Sequence, residues 1–161
     1  MSLERLGMNY IGLYILHMWD YNTSIIDIME GLHNVIQQGK VKYIGISNCY
    51  AWQIAKANEI AKAHGWEQFI SIQGHNNLIF REEERKMVPY CNEENIALTP
   101  YSTLASGRLA KYMGEESKRL KDDVYAKGKY DVSHDEDLLI IKRVEKLYKL
   151  HLLVGVMAQN K

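Results

Sequence analysis

Short apolar runs alternate with longer amphipathic segments through the first hundred residues of the chain. The runs cover residues 10–16, 41–47, 69–73 and 96–101, and isoleucine and aromatic residues recur in them, as in buried β-strands. The segments between the runs carry apolar residues at helical spacing. Strands separated by helices predict parallel pairing with right-handed crossovers, so the pattern predicts an α/β fold with about four parallel strands.

Capping signals bound the predicted helices. Residues 2–8 are typical of a helix end closed by a glycine. Thr23 or Ser24 is suited to cap a helix that ends before Gly39, and its isoleucines, methionine and leucine fall on one face. A further helix is predicted over residues 51–64, again followed by glycine.

The rest of the chain is less regular. Residues 81–95 open with glutamates that favour a helix N-terminus, and Pro89 inside them predicts a kink or a break. The polar sequence of residues 107–135 predicts a long loop with a short helix near 115–124. Residues 136–150 predict a final helix, after which a new apolar segment is expected to start.

Each predicted strand ends on polar or aromatic side chains. His17 follows the first strand, Ser47 and Asn48 close the second, Gln73 closes the third and Tyr101 closes the fourth. The carboxyl ends of parallel strands meet at one edge of a sheet, where α/β folds place their chemistry. We therefore expect these residues to form the candidate site.

Length and charge limit the classes of function. The 161 residues suffice for a single domain over residues 1–161, and the hydrophobic fraction of 47% is ordinary for a soluble globular protein. Twenty basic residues balance twenty acidic ones, which gives no electrostatic reason to expect nucleic acid or an anionic membrane as a partner. No apolar run approaches the roughly 20 residues of a membrane span, and a signal-peptide core is not expected.

The cysteines and histidines argue against a metal site or a disulfide framework. Cys49 and Cys91 form no CxxC motif, so we predict a cytoplasmic protein with reduced thiols. The six histidines lack metal-binding spacing, and we predict no metal. His75 differs from the others because it lies two residues after Gln73, near the candidate site.

Several stretches of the chain form a recognisable set. They are RLGMNYIGLY from Arg5, GKVKYIGISN from Gly39, Gln73 with Asn77-Leu78 and REEER from Arg81, and Tyr101-Ser102 with LASGRL from Leu104. Their order and spacing resemble those of the aldo-keto reductase family. The resemblance is closest to the branch of potassium-channel β subunits and aryl-alcohol-dehydrogenase-like enzymes, and it extends to about residue 158.

The resemblance implies a partial TIM-type (β/α)8 barrel that binds NADP(H) and reduces aldehydes or ketones to alcohols. His17 matches the family's tetrad histidine, which helps to polarise the substrate carbonyl. Tyr101 matches the aromatic residue that stacks on the nicotinamide. Ser47, Asn48 and Gln73 match residues that hydrogen-bond the nicotinamide carboxamide, and Ser102, Leu104, Ser106, Gly107 and Arg108 match the loop around the pyrophosphate.

The family pattern is incomplete in this chain. The tetrad's Asp, its proton-donating Tyr and its Lys normally lie upstream of the matched residues, and the segment that grips the adenosine 2′-phosphate lies downstream. A complete barrel needs about 250 residues, so the resemblance implies a truncated, C-terminal-half portion. The chain also departs from the family at four positions, where Asp, Pro, an aromatic residue and Pro are usual: Gly12, Ser24, Asn76 and Thr103.

Structural alternatives stay open for these residues. Ser47 and Asn48 are equally suited to cap the following helix. Trp19, Tyr21 and Trp52 either line an apolar substrate pocket or pack in the core, and packing is commoner. His17 and Tyr101 are alternatively a polar group and an aromatic group at the rim of the sheet, and Cys49 is interpreted as an inert thiol.

Three functions are consistent with the sequence. In the first, the chain is a reductase fragment without robust activity of its own. In the second, it is a non-catalytic, channel-β-like module that binds cofactor and forms homo-oligomers through exposed strand edges. In the third, it keeps some reductase activity, with Tyr14 or Tyr21 supplying the proton to a small carbonyl substrate.

Overall fold

The computed structural model of the chain describes residues 2–110, 121–124, 128 and 135–159. These residues fall into two compact units. Residues up to 76 and residues 82–101 form the first unit, and residues 77–81 together with those from 102 onward form the second.

The first unit is a parallel β-sheet flanked by helices. Its strands are β1 (Ile11–His17), β2 (Val41–Ser47), β3 (Phe69–Gln73) and β4 (Ala97–Leu98), paired in parallel in that order. Its helices are α1 (Ser2–Leu6), α2 (Ile25–Gln37), α3 (Ala51–His64), the 3-10 helix Glu82–Arg85 and α4 (Met87–Glu93). The predicted α/β fold with four parallel strands is therefore confirmed. In the described part of the chain, the outer edges of β1 and β4 face no further strand.

Local capping chemistry explains why the predicted helix bounds are close to the observed ones. Ser24 is the N-cap of α2, and its Oγ accepts a hydrogen bond from the Asp27 N–H at 3.2 Å. Gly39 and Gly65 follow α2 and α3 with φ angles of 68° and 69°, a region that glycine enters without a steric penalty.

Alternation along the strands separates the two faces of the sheet. Ile44 and Ile46 of β2 and Ile72 of β3 are buried against the helices. Met29 of α2 and Ile54 of α3 complete the centre of this core. Gly45 and Ser47 alternate with these isoleucines and therefore belong to the opposite face of the sheet. Ser47 is the last residue of β2, so it lies at the carboxyl edge of the sheet.

Asn58 of α3 fixes the start of β3. Its Oδ1 accepts a hydrogen bond from the Phe69 N–H at 2.9 Å, and its Nδ2 donates to the Phe69 carbonyl oxygen at 3.4 Å. The side chain is 6% exposed, so these groups are shielded from water. Asn58 thus satisfies the backbone of Phe69 where β3 begins, and this helps to set the strand's register.

Asn58→Ala is expected to lower the free energy of unfolding by about 2 kcal/mol, because it leaves the buried Phe69 N–H without an acceptor. Urea unfolding followed by far-UV circular dichroism measures the loss. Asn34→Ala on the exposed surface of α2 controls for the gain in helix propensity and is expected to change stability by less than about 0.5 kcal/mol. Equal losses in the two variants would contradict the role of Asn58.

The predicted break in the segment 81–95 is present, but it lies before Pro89. Pro89 is the third residue of α4, in the first turn, where a backbone N–H needs no partner within the helix. The interruption lies earlier, at Lys86, whose φ and ψ of −139° and −47° separate the 3-10 helix from α4. The predicted single helix is therefore two short ones.

The fourth strand is shorter than predicted. Regular pairing in β4 covers only Ala97–Leu98, although the sequence predicted residues 96–101. The hydrogen-bond ladder continues past Pro100, which lacks an N–H: Thr99 N donates to the Ile72 carbonyl at 2.9 Å, and Tyr101 N donates to the Gly74 carbonyl at 2.9 Å. Tyr101 therefore keeps its place at the sheet edge although it lies outside the regular strand.

The second unit has a small core around the 3-10 helix Ala105–Gly107 and the long helix α5 (Asp135–Gln159). Ala105, Leu109 and Ile141 are buried apolar residues of this core. The predicted helix end near residue 150 is wrong, because α5 continues to Gln159 and the one glycine in this stretch costs a helix only about 1 kcal/mol. Most of the helix predicted near 115–124 lies outside the described residues.

Within the ranges that the structure describes, no helix has the length and hydrophobicity to span a membrane.

Candidate cofactor and catalytic site

The strand register brings four of the predicted site residues to one edge of the first unit's sheet. His17 of β1 pairs with Ser47 of β2, and Ser47 pairs with Gln73 of β3. Tyr101 forms an isolated parallel bridge with His75, two residues beyond Gln73. Parallel pairing therefore assembles residues that are far apart in the sequence.

A continuous set of hydrogen bonds joins the ends of β2 and β3 to Tyr101. Ser47 Oγ donates to the Gln73 carbonyl at 2.9 Å, and Asn48 Nδ2 donates to Ser47 Oγ at 2.9 Å. The Tyr101 hydroxyl donates to Asn48 Oδ1 at 3.0 Å, and the Asn48 N–H donates to the Gln73 carbonyl at 3.2 Å. The amide and phenol groups are consequently held in place by the protein's own bonds.

Ser47 and Asn48 occupy different depths. Ser47 is 1% exposed and its hydroxyl hydrogen is used on Gln73, so it supports Asn48 from within the sheet. Asn48 and Gln73 are half-buried. A side-chain amide has two donor hydrogens and an acceptor oxygen, and the hydrogen bond to Ser47 uses one of the Asn48 hydrogens. The side-chain amides of Asn48 and Gln73 are thus more accessible to a ligand than the Ser47 hydroxyl.

Left-handed backbone follows three of the residues at this edge of the sheet. Met18, Asn48 and Ser102 have φ angles of 64°, 53° and 55°, directly after His17, Ser47 and Tyr101. This conformation costs a non-glycine residue roughly 1–2 kcal/mol, and residues with such backbone strain are common at binding sites. The asparagine is a residue type that tolerates it, whereas the sequence carries no signal for Met18 or Ser102.

The helix-cap alternative for Ser47 and Asn48 is wrong. The N-cap of α3 is Tyr50, whose N–H donates to Oε1 of Gln53 at 2.8 Å. Ser47 and Asn48 precede the N-cap, and their side chains form hydrogen bonds in the network at the sheet edge.

Tyr14 lies on the opposite face of β1 from His17. It pairs in register with the buried Ile44, and it lines a groove of about 490 Å³ with Ile28 and Leu32 of α2. Tyr14 and His17 therefore belong to different faces of the sheet. His17 itself is exposed at the strand end, and Tyr21 is exposed in the loop that follows.

The tryptophans of the candidate substrate pocket separate into two environments. Trp19 is buried in the core with the residues of the sheet and helices, so core packing is its role. Trp52 on the first turn of α3 is exposed, like Tyr21. Of the three aromatic residues, Tyr21 and Trp52 keep surface that a ligand can reach.

Cys49 is a protected thiol. Burial raises its pKa to about 12, and the negative charges of Glu83 and Cys91 add to that rise. Near neutral pH the thiol stays protonated, and a protonated thiol is a weak nucleophile.

In the part of the chain that the structure describes, no three His, Cys, Asp or Glu side chains are arranged to hold a metal ion.

The predicted phosphate loop belongs to the second unit. Ala105, Ser106 and Gly107 are consecutive residues with positive φ, at 47°, 55° and 101°. Successive amides in such turns can point to one side and bind an anion. Arg108 follows, half-buried, with its Nη1 3.9 Å from Oδ2 of Asp137 on α5. Leu104 is exposed, so the loop offers backbone amides and one guanidinium near an apolar side chain.

Asn77 supports this loop, a role that was not predicted from the sequence. Its Nδ2 donates to the Ser102 carbonyl at 2.9 Å, while its Oδ1 accepts from the N–H groups of Ile79 and Phe80 at 2.9 and 2.8 Å. The side chain is buried, so it ties the start of the loop to residues 77–80. The Asn-Leu pair at this position was the available signal, because it belongs to one of the family-like stretches.

Comparison with known proteins gives a consistent family. The sequence profile described as "Aldo/keto reductase family" matches residues 1–153. A putative aryl-alcohol dehydrogenase of Schizosaccharomyces pombe is 38% identical over 151 residues, which are 92% of this chain and 42% of that protein. The versiconal hemiacetal acetate reductase of Aspergillus parasiticus is 40% identical over 149 residues, which are 91% of this chain and 43% of that protein.

A solved structure supports the fold. The glycerol dehydrogenase of Gluconobacter oxydans superimposes with a TM-score of 0.77 at 28% identity, covering 93% of this chain and 45% of that one. The predicted partial TIM-type barrel is thereby confirmed. The chain spans about two fifths of the length of the curated relatives it matches.

Proposed function

The chain belongs to the aldo/keto reductase family, and from this premise we propose that it is part of an NADP(H)-dependent reductase of aldehydes or ketones. The observation that carries the proposal is the hydrogen-bonded edge of the first unit, where Ser47 bonds to Gln73 and Asn48 bonds to both Ser47 and the Tyr101 hydroxyl. A relative from Phanerodontia chrysosporium that is 39% identical over 120 residues is named an aryl-alcohol dehydrogenase [NADP(+)], which supports the choice of cofactor.

The side chains at this edge fit a nicotinamide. Its carboxamide has the donor and acceptor groups that the Asn48 and Gln73 amides complement, and the Tyr101 ring offers a flat wall. When bound, the cofactor supplies the hydride. The protein's part is to fix the ring's rotation and the face that it presents, which favours a productive geometry over many unproductive ones.

The loop from Ser102 to Arg108 fits a pyrophosphate. We assign anion binding to the amides of its left-handed residues and to the Arg108 guanidinium. Ser106 adds a hydroxyl donor, Gly107 lets the backbone approach an anion closely, and Leu104 is an exposed apolar contact for the rest of the cofactor.

His17 is the residue that we assign to the carbonyl oxygen, because an imidazole at an exposed strand end can donate a hydrogen bond to it. The Asp, Tyr and Lys that complete the family's tetrad have no counterpart in the matched stretches. We therefore propose that this chain by itself binds the cofactor without robust turnover. Its two cysteines are free thiols, which fits the proposed cytoplasmic location.

NADPH is expected to raise the melting temperature of the purified chain, because a ligand that binds the folded state stabilises it. Arg108→Gln is expected to abolish most of that rise by removing the cation at the phosphate loop. Asp137→Asn is the matched control, since it breaks the same ion pair but keeps the guanidinium. Thermal unfolding with and without NADPH, followed by circular dichroism, measures all three proteins.

An Asp137→Asn protein that loses the NADPH response as fully as Arg108→Gln would show that the ion pair, and not the cation, matters. A chain whose cooperative melting is indifferent to NADPH at millimolar concentration would refute cofactor binding.

A second candidate function is a non-catalytic module that assembles into homo-oligomers. The exposed apolar residues of β1 and β2, Leu13 and Tyr43, favour it, together with the outer edge of β1 that faces no strand within the described ranges. Light scattering after size-exclusion chromatography decides the question. A discrete dimer would support this candidate, whereas a monomer would refute it.

A further inference from the structure

His75 lies against the ring of Tyr101. It follows β3 by two residues, and its side chain is only 9% exposed. The imidazole and the phenol ring are stacked, with their centroids 5.3 Å apart and their planes inclined by 20°. That separation is typical of an offset stack between aromatic rings.

The backbone holds the two rings in this arrangement. His75 and Tyr101 form a parallel bridge, and the Tyr101 N–H donates to the carbonyl of the neighbouring Gly74 at 2.9 Å. At its other end, the Tyr101 ring is tied by its hydroxyl to Asn48 Oδ1 at 3.0 Å. The phenol is therefore fixed at its backbone, at its hydroxyl and over one face.

A ring that serves as a wall for a nicotinamide must have a fixed tilt. The hydroxyl bond to Asn48 sets where the far end of the Tyr101 ring lies, but rotation about the axis through the hydroxyl changes the ring plane without breaking that bond. A planar group packed on one face opposes this rotation. The His75 imidazole, buried and stacked on the Tyr101 ring, is such a group.

We propose that His75 is a positioning residue that sets the plane of the Tyr101 ring and thereby the affinity for the nicotinamide cofactor. The inference rests on the proposed function, because it takes the face of Tyr101 away from His75 as the face that receives the cofactor. His75 does not touch the cofactor in this arrangement, and its effect passes through Tyr101.

The test compares the full chain with His75→Leu, which removes the planar ring, and with His75→Phe, which keeps one. His64→Leu is the matched control, since His64 also stacks on an aromatic ring, that of Trp66, with centroids 4.5 Å apart. Two readouts are made on each protein. The dissociation constant of NADPH is measured by fluorescence titration, and the ring resonances of Tyr101 are followed by NMR of tyrosine-labelled protein, assigned with Tyr101→Phe.

We expect His75→Leu to raise the dissociation constant of NADPH about two- to tenfold, the range that an aromatic pair contributes. The Tyr101 ring resonances are expected to move, because the ring current of the imidazole is lost. His75→Phe is expected to restore the dissociation constant to within about twofold of the unchanged chain, and His64→Leu is expected to change neither readout.

Two results overturn the inference in different ways. Unmoved Tyr101 resonances in a folded His75→Leu protein would show that His75 does not position the ring, whether or not the cofactor binds. Unchanged NADPH affinity in that protein, with its Tyr101 resonances moved, would show that the contact with His75 does not control binding. Failure of the unchanged chain to bind NADPH would refute the proposed function and the cofactor part of the inference, and the NMR comparison would still decide the positioning of the ring.

Discussion

Phe69→Ala is expected to lower the free energy of unfolding by about 3–5 kcal/mol, the range for removing a fully buried phenylalanine from a core. Phe69 is 1% exposed at the start of β3, among the apolar residues of the sheet and its helices. Its removal costs the transfer energy of the ring and leaves a cavity that the surrounding strands cannot close completely. Because domains are stable by only about 5–15 kcal/mol, much of the chain should unfold at moderate temperature.

The sequence contains a natural control for this substitution. Phe80 is the other phenylalanine of the chain, and it is 38% exposed. Phe80→Ala is expected to cost only about 1–2 kcal/mol, because less apolar surface returns to water. Urea unfolding followed by circular dichroism compares the two. Similar losses would mean that Phe69 is not at the centre of a packed core.

Gly45→Val is expected to lower the free energy of unfolding by about 3 kcal/mol, at the upper end of the usual cost of overpacking. Gly45 lies in β2 between Ile15 of β1 and Ser71 of β3. A Cβ at this position would lie 2.3 Å from Ser71 Oγ and 3.3 Å from the Ser71 carbonyl oxygen. The second contact is with backbone, so the two strands must separate to admit a side chain.

The effect should reach the candidate site. Ser47 lies two residues after Gly45 in β2, and Gln73 lies two residues after Ser71 in β3. The Ser47 hydroxyl donates a hydrogen bond to the Gln73 carbonyl and so joins the two strands. Strand separation at Gly45 would lengthen that hydrogen bond, and we expect the rise in melting temperature with NADPH to shrink as well. The same melting experiment measures stability and the response to cofactor.

Gly12→Val is the control for Gly45→Val. Gly12 lies in the neighbouring strand β1, and a Cβ there would meet nothing within 4 Å in the described part of the chain. Valine favours strands, so this variant should be neutral or more stable. Equal destabilisation at the two positions would mean that glycine is needed for backbone flexibility and that the contact with Ser71 is irrelevant.

A double-mutant cycle isolates the contact itself. Among the described residues, Ser71 Oγ is buried without a hydrogen-bond partner, so Ser71→Ala should cost little. Gly45→Ala should be less destabilising in the Ser71→Ala background than in the unchanged chain, because the nearest atom has been removed. Additive losses would show that the hydroxyl is not the obstacle.

The sequence was most informative where local chemistry decides the structure. The predicted bounds of β2 and α3 agree with the observed Val41–Ser47 and Ala51–His64, because an apolar alternation and a closing glycine act within a few residues. The break predicted at Pro89 occurs three residues earlier, at Lys86, because Pro89 belongs to the first turn of α4. The prediction was wrong at the end of α5, where a glycine was tolerated inside a long helix.

The sequence by itself determined the order of strands and helices and the kinds of side chain at the strand ends, because both follow from periodicity and capping over short stretches. Only the tertiary structure decided which of those side chains meet. The Tyr101 hydroxyl reaches Asn48 across 53 positions of sequence, and the His75 imidazole reaches the Tyr101 ring, because parallel strands return through crossovers to the same edge. The left-handed backbone after His17 and Tyr101 also depends on the tertiary structure, because long-range packing, and not local preference, offsets its strain.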